Sequence, residues 1–516
     1  MYEHFLHHYN IATDIHTPKF KRSSYDNNHS PNWFNNDLKI LTKQKRKLWF
    51  KLRAASPLAK LTLHNEYVNT CKTLKNKIYS TILSYEKVIV SNCKSNPKLL
   101  YSYINNQKKV SDSIRSLVDN DGIPLNNKSD IAECLNNQFC KVFSSPSPRS
   151  NFPRLSKLTE TICSLDLSIF TPNAVLKELL KLDERKSPGL DGVHPVILKK
   201  CAVSFSYILS KIFIESYSTS TLPRIWKDAN ITPIFKKGKK TDPSNYRPIS
   251  LTALPCKILE KIIKNQMMSH LTNNNLISPQ QHGFVNNKSC DTNLLETLDI
   301  ITETLNRGFS VDLAFLDFAK AFDKVSHSGL LVKLEAFGFD QLIIKWVEAF
   351  LNDRRQRVVL GDVMSSWEAV MSGIGQGTSI GPLLFIIFIN DMTTKFKHPC
   401  KLFADDSKLI SVIRNISDCH QLQTDLDEAV QWSRVWKMEF NNDKCKVMHL
   451  GRKNRILTTY SLLETQNDQR TDLQTTSLER DLGIHISSDL KWHHYSKIAA
   501  NKALAVLGIL QCSFPY

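Results

Sequence analysis

Two adjacent carboxylates, Asp405 and Asp406, interrupt an otherwise apolar stretch, with Leu402-Phe403-Ala404 before them and Leu409-Ile410 after. The pattern reads as strand, turn, strand, with both acids at the tip. Upstream, Asp317 ends the run VDLAFL (311–316), which alternates and then becomes apolar, as a buried strand does. Carboxylates at the ends of hydrophobic strands are costly to desolvate, and a divalent cation is the usual compensation. Acids from two neighbouring strands can bridge two Mg²⁺ ions about 3.5–4 Å apart, which activates an attacking hydroxyl and stabilises a leaving phosphate. Successive strand residues face opposite ways, so Asp405 and Asp406 need not both be ligands. An Asp-Asp pair alone is ordinary turn chemistry; Asp317 gives it weight.

The segment between them, SGIGQGTSIGP (372–382), carries glycines at 373, 375, 377 and 381. It matches neither G-x-x-x-x-G-K nor G-x-G-x-x-G. So bare a backbone lets a planar group approach closely, and Gln376 puts an amide within the loop. The same text also suits a tight loop ahead of a buried helix. Lys236, Lys237, Lys239, Lys240 and Arg247 form a basic strip able to hold a triphosphate.

Charge points the same way. Lys and Arg number 68 against 49 Asp and Glu, a net +19, and residues 1–110 hold 19 basic and 6 acidic side chains. Such a field attracts polyanions, nucleic acid foremost. Leu38, Leu41, Leu48 and Leu52 mark a helical face within 36–105, with Lys43, Lys45, Arg46 and Lys47 around it, and Leu74, Ile78, Ile82 and Tyr85 repeat the spacing. This basic helical face reads as a nucleic-acid surface, against the alternative of a merely solvated one. The twelve cysteines include no C-x-x-C, so neither a zinc module nor a disulfide framework is indicated, and reduced thiols fit best. The opening MYEHFLHHYN lacks the features of a signal peptide. The run Leu383–Ile389 is far shorter than the roughly 20 residues of a membrane helix. A soluble intracellular chain, with no membrane partner, is expected.

Organisation along the chain follows composition. Residues 1–35 read as a loose polar arm, 36–143 as the basic helical region, and 144–160 as a linker opening with SSPSPRSNFP. Thr171-Pro172 reads as a helix start, with Val175, Leu176, Leu179 and Leu180 at core spacing. SPGLDG (187–192) reads as a loop, ITPIFKKGKK (231–240) as a strand entering a basic turn, and Leu254 to Leu271 as a helix. Strands and helices mixed without regular alternation indicate an α+β architecture.

At this point the residues resemble a known family. FLDFAKAFDKVSH (315–327), GIGQGTSIGPLLFIIFIND (373–391) and FADD (403–406) resemble motifs A, B and C of reverse transcriptases. SPGLDGVHP (187–195), NYRPISL (245–251) and QHGF (281–284) are similar to additional blocks of the non-LTR, LINE-type elements, especially jockey-like ones. FNNDKCKVMHLG (440–451) resembles motif D, and ERDLGIHISSDLKW (479–492) the block after it. The ordered likeness covers about residues 185–490. Two positions depart from it: Gly375 stands where proline is usual, and Phe403 where tyrosine is commoner. Both departures are tolerable, the first adding backbone freedom and the second removing only a hydroxyl.

The resemblance implies a right-hand polymerase fold preceded by the basic helical region. Fingers would span 161–310, the palm with its antiparallel sheet 311–455, and a motif E-like block with a partial thumb 456–516, around a core domain of about 217–487. It implies that Asp317, Asp405 and Asp406 form the acidic, metal-holding triad, with two Mg²⁺ ions or Mn²⁺ in their place. Phe322 would abut the sugar and exclude a 2′-OH. Gln376 would contact the incoming nucleotide, with Phe318 beside it and Gly375 and Gly377 against nucleic acid. Arg247 and Lys236 would hold the triphosphate, and Lys444 would give a proton to pyrophosphate. Asp323 would be structural. Partners would be an RNA template, a DNA primer or target DNA, and dNTPs, in cytoplasm and nucleus. No endonuclease precedes these blocks and no cysteine-rich knuckle follows them, so a fragment or decayed copy that only binds nucleic acid is the competing expectation. An RNA-dependent RNA polymerase is disfavoured by Phe322, and a group II intron maturase by NYRPISL followed by QHGF.

Overall fold

The computed structural model describes residues 1–17, 31–107, 114–119, 121–451, 456–463 and 469–514. The chain divides into two compact units, one of Met1–His16 and Ile114–Tyr495, the other of Thr17–Ser113 and Ser496–Tyr516.

The first unit begins with helix α1 (Tyr2–His16). A loose arm was expected here, and residues 18–30 of that arm lie outside the described residues. Residues 2–16 are helical because Tyr2, Phe5 and Tyr9 recur at three- and four-residue spacing and are buried. Tyr2 stands edge-on to Trp226 (4.7 Å between centroids) and donates to Asp191 Oδ2 at 2.6 Å. Tyr9 OH accepts from His194 N at 2.9 Å. The SPGLDGVHP loop thus receives the N-terminal helix.

In the second unit α2 (Asn36–Ala54) packs on the long α3 (Pro57–Asn92). Asn35 caps α2 by accepting from Leu38 N (3.0 Å), and Pro at the first turn starts α3. The basic helical region ends earlier than expected. Leu117, Ile131, Leu135 and Phe139 belong to the first unit, in a hydrophobic cluster with Ile231, Tyr246 and Val358. The expected linker is also a packed part of the first unit. Phe152 stacks on Trp436 (5.7 Å, 15°), and Leu158 N donates to Ala336 O (2.8 Å). Proline and serine say nothing of the burial of Phe152, the aromatic within this segment.

Among the described residues, the strands that frame the site are β1 (Asp228–Phe235), β2 (Tyr246–Leu251), β3 (Ser310–Leu316), β4 (Arg355–Leu360), β5 (Cys400–Phe403), β6 (Asp406–Ile413), β7 (Lys446–Leu450), β8 (Gln474–Thr475), β9 (Leu478–Asp481) and β10 (Ile484–Ser487). The main sheet has the order β8-β7-β3-β6-β5, antiparallel except at β7/β8. A second sheet runs β2-β1-β4, extended by Val363–Met364, and β9 pairs with β10 as a hairpin. Helices α4 (Leu254–Asn273), α5 (Gly381–Ile389) and α6 (Ile416–Trp436) all contribute buried faces to the largest hydrophobic core. The apolar run Leu383–Ile389 is α5 itself, buried along its whole length in that core. No helix among the described residues is long and apolar enough to cross a membrane.

Candidate active site

β3 and β6 deliver the acids. Their register pairs Leu316 with Ser407, so the next pair outward is Asp317 with Asp406. Asp405 lies in the two-residue turn that joins β5 to β6, where Phe403 pairs with Asp406. The loop after β3 is stapled to the segment before β7: Asn441 N donates to Asp317 O (2.7 Å) and Ala319 N to Glu439 O (2.9 Å).

Asp405 opens onto a cavity of about 510 Å³ and Asp406 onto a neighbouring one of about 260 Å³, while Asp317 borders both. The larger cavity is also lined by Lys236, Arg247, Phe322, Gln376, Gly375, Gly377 and Lys444. Folding therefore gathers the expected polymerase residues into one place. Phe318 borders the cavity as well, but it is buried with its ring stacked on Phe440 (4.4 Å, 18°), so packing claims it. Lys43, Lys45, Arg46 and Lys47 lie on α2, in the other unit.

The acids are crowded. Partial burial, then the neighbouring carboxylates of Asp405 and Asp317, push Asp406 up to about 6. Asp405 is raised for the same reasons, burial first and Asp317 next. Lys444 Nζ sits 2.8 Å from Asp317 Oδ2 and supplies the nearest countercharge. Lys236 is held below the usual lysine range by burial and by Arg247 and Lys444 beside it. Among the described residues no three His, Cys, Asp or Glu side chains are arranged to close on an ion as they stand. The donor set nonetheless fits a hard divalent cation: oxygen ligands only, in a cluster whose mutual repulsion such a cation would relieve.

The glycine loop is pinned to the second sheet. Ser250 N, on β2, donates to Gln376 O (2.8 Å). Gly377 has φ +108°, and a Cβ there would come within 2.8 Å of Ser250 O. The chain's own β2 thus closely approaches this glycine, which also lines the cavity. Gln376 Nε2 donates to Asp323 Oδ1 (3.3 Å), and Asp323 O accepts from Ser372 Oγ (2.8 Å), so Asp323, itself at the cavity wall, braces the glycine loop. Phe322 stacks on Phe385 of α5 (4.4 Å, 16°), which fixes its ring at the cavity wall.

Some residues at the site were invisible from sequence. Glu260 on α4, fully buried, accepts from Ser379 N (2.5 Å) and Ile380 N (3.1 Å) and so caps α5 from a distance. Phe284 is half-exposed at the cavity edge in the left-handed region (φ 56°). Gln281 reaches the turn that carries Asp405. The block QHGF held the only sequence signal for the last two.

Residues 235–498 match the family described as Reverse transcriptase (RNA-dependent DNA polymerase). The chain is 31% identical over 293 residues to the RNA-directed DNA polymerase from mobile element jockey of Drosophila melanogaster, covering 55% of this chain and 32% of that protein. It is 28% identical over 298 residues to a probable RNA-directed DNA polymerase from transposon BS of the same fly, covering 54% and 32%. A Pol polyprotein from the type-2 retrotransposable element R2DM, also from that fly, is 26% identical over 320 residues, covering 58% and 29%. The chain thus spans about a third of the length of these curated relatives. The matched segment runs from the end of β1 through all four strands that carry or flank the acids, and with it the chain belongs to the reverse transcriptase family, as a jockey-like, non-LTR member.

Proposed function

We propose that the chain is an RNA-directed DNA polymerase of a non-LTR retrotransposon, extending a primer 3′-OH with dNTPs on an RNA template. The observation that carries this reading is the meeting of Asp317, Asp405 and Asp406 with Arg247, Lys236, Phe322 and Gln376 around adjoining cavities. In the right-hand description, β3, β5, β6 and β7 are the palm, β1 and β2 belong to the fingers, and the β9–β10 hairpin leads toward the thumb. α2 and α3 form the basic helical region ahead of them.

Asp317 and Asp405 would hold two Mg²⁺ ions, with Asp406 as third acid; bound there, the metal would make the 3′-OH a better nucleophile and stabilise the departing pyrophosphate. The remaining work falls to the chain. Arg247 and Lys236 would grip the triphosphate, Arg247 through its planar fork. Phe322, immobilised on Phe385, would meet a ribonucleotide's 2′-OH with a ring and so select dNTPs. Gln376, oriented by Asp323, would lie against the nascent pair. Lys444, paired with Asp317 and bordering both cavities, would give a proton to the leaving group. Positioning and electrostatics supply most of such a reaction.

The test is primer extension on poly(rA)·oligo(dT) with dTTP and Mg²⁺, comparing the wild type with Asp405→Asn. Extension should vanish in the variant while primer–template binding stays within about twofold. Equal loss of binding and extension would make Asp405 a structural residue and sink the assignment.

A further inference from the structure

The block Gln281-His282-Gly283-Phe284 braces the hairpin that carries the acids. Its backbone runs parallel to β5: His282 N donates to Leu402 O (2.9 Å), and Leu402 N donates to Gln280 O (3.0 Å). Asn293 Nδ2 adds a third bond, to Leu402 O (3.1 Å). The Gln281 side chain, 1% exposed, then reaches the turn itself. Its Oε1 accepts from Gly283 N (2.8 Å) and from Ala404 N (3.0 Å). Both partners are N–H donors, so the carbonyl end of the amide is fixed.

Ala404 needs such a brace. It is the first of the two turn residues, and its φ of 56° is left-handed, a conformation that a residue with a Cβ keeps only when its surroundings impose it. Gly283 makes the close approach feasible, since a Cβ there would lie 2.5 Å from Ala404 N. Asp405 is the next residue in the chain. Without the Gln281 acceptor, two buried N–H groups lose their partner and the turn is free to relax.

We infer that Gln281 is a positioning residue: its side-chain carbonyl clamps the Ala404 amide, holds the strained turn, and thereby fixes where the Asp405 and Asp406 carboxylates stand. The inference rests on the polymerase reading for its consequence, but not for its geometry. The Gln281 Nε2 atom meets no acceptor among the described residues, so Gln281→Glu keeps the acceptor and breaks no bond, whereas Gln281→Leu removes the acceptor at similar volume.

The experiment pairs extension kinetics with hydrogen exchange on the full chain. In Gln281→Leu, exchange of the Ala404 amide should rise at least tenfold, and the Tm should fall by only several degrees, as two unpartnered amides cost. The extension rate should fall on the order of 100-fold, as a misplaced catalytic group costs, with primer–template Kd unchanged and the half-activating Mg²⁺ concentration raised. Gln281→Glu should recover the protection and most of the rate. Wild-type rate and Mg²⁺ dependence in Gln281→Leu would overturn the inference, as would equal losses in Leu and Glu variants. If the wild type itself extends no primer, the polymerase reading fails, and unchanged Ala404 protection in Gln281→Leu overturns the clamp independently.

Discussion

At the scale of single residues, the acidic cluster carries a cost that the free protein should reveal. Asp406 has a folded-state pKa raised to about 6 from an ordinary 3.8. An acid raised in this way binds its proton more tightly folded than unfolded, so stability is lost as pH climbs from the ordinary value through about 6 and stays lost above. Asn at this position is neutral throughout. In EDTA, Asp406→Asn should therefore gain Tm relative to wild type between pH 4.5 and pH 7.5, and the gain should level off above about 6. Excess Mg²⁺ should then raise the wild-type Tm, because a ligand that binds only the folded state stabilises it, and should do less for the variant. A Tm difference independent of pH would mean that Asp406 does not feel its neighbours.

At the scale of elements, local pattern proved informative wherever one face of an element faces the core. The β5–β6 hairpin, the strand before Asp317 and the cap at Thr171, which accepts from Ala174 N (3.4 Å), all follow from short-range spacing. What escaped was tertiary. α1 hides three buried aromatics among four histidines, two acids and Asn10, so its composition reads as solvent-facing. Glu260 sits in ILEKIIK, where a glutamate looks like the polar face of an amphipathic helix; only folding brings it under α5. There it accepts the amides of Ser379 and Ile380, the two residues that lead into a helix made entirely of apolar residues beyond its Gly381-Pro382 start, favourably placed for the helix dipole. Burial holds its carboxyl above the usual range, and the buried Arg354 nearby opposes that shift. Glu260→Ala would strand two amides, so we expect a loss of about 3 kcal/mol in urea unfolding. Glu260→Gln, which retains an acceptor, should cost less. A neutral Glu260→Ala would show that the cap is dispensable.

At the scale of the whole molecule, charge and chemistry are divided between the two units. The acids and their basic wall belong to the first, whereas much of the net positive charge lies in residues 1–110. The structure sorts the basic residues of α2 by face. Lys45 falls in the half-buried stripe with Leu38, Leu41, Leu48 and Leu52. Lys39, Lys43, Arg46 and Arg53 are exposed at the three- and four-residue spacing that shares one face, and Phe50 lies among them, 57% exposed with Arg46 5.9 Å from its ring centroid. None of these four cations has an acidic partner among the described residues. A row of unpaired cations with an exposed aromatic suits a single strand, phosphates on the cations and a base on the ring. Each phosphate neutralised releases counterions, and the slope of log K against log salt falls by about 0.7 per contact for a single strand. Replacing Lys39, Lys43, Arg46 and Arg53 by glutamine should thus reduce the slope for a single-stranded oligonucleotide by about 3, measured by anisotropy between about 50 and 300 mM salt. Because the packed stripe of α2 is untouched, the Tm should hold. Because the acids belong to the other unit, extension at saturating primer–template should hold as well. An unchanged slope would reduce the basic face to a solvated surface; a slope reduced together with the saturated extension rate would mean that α2 acts on the chemistry and not only on capture.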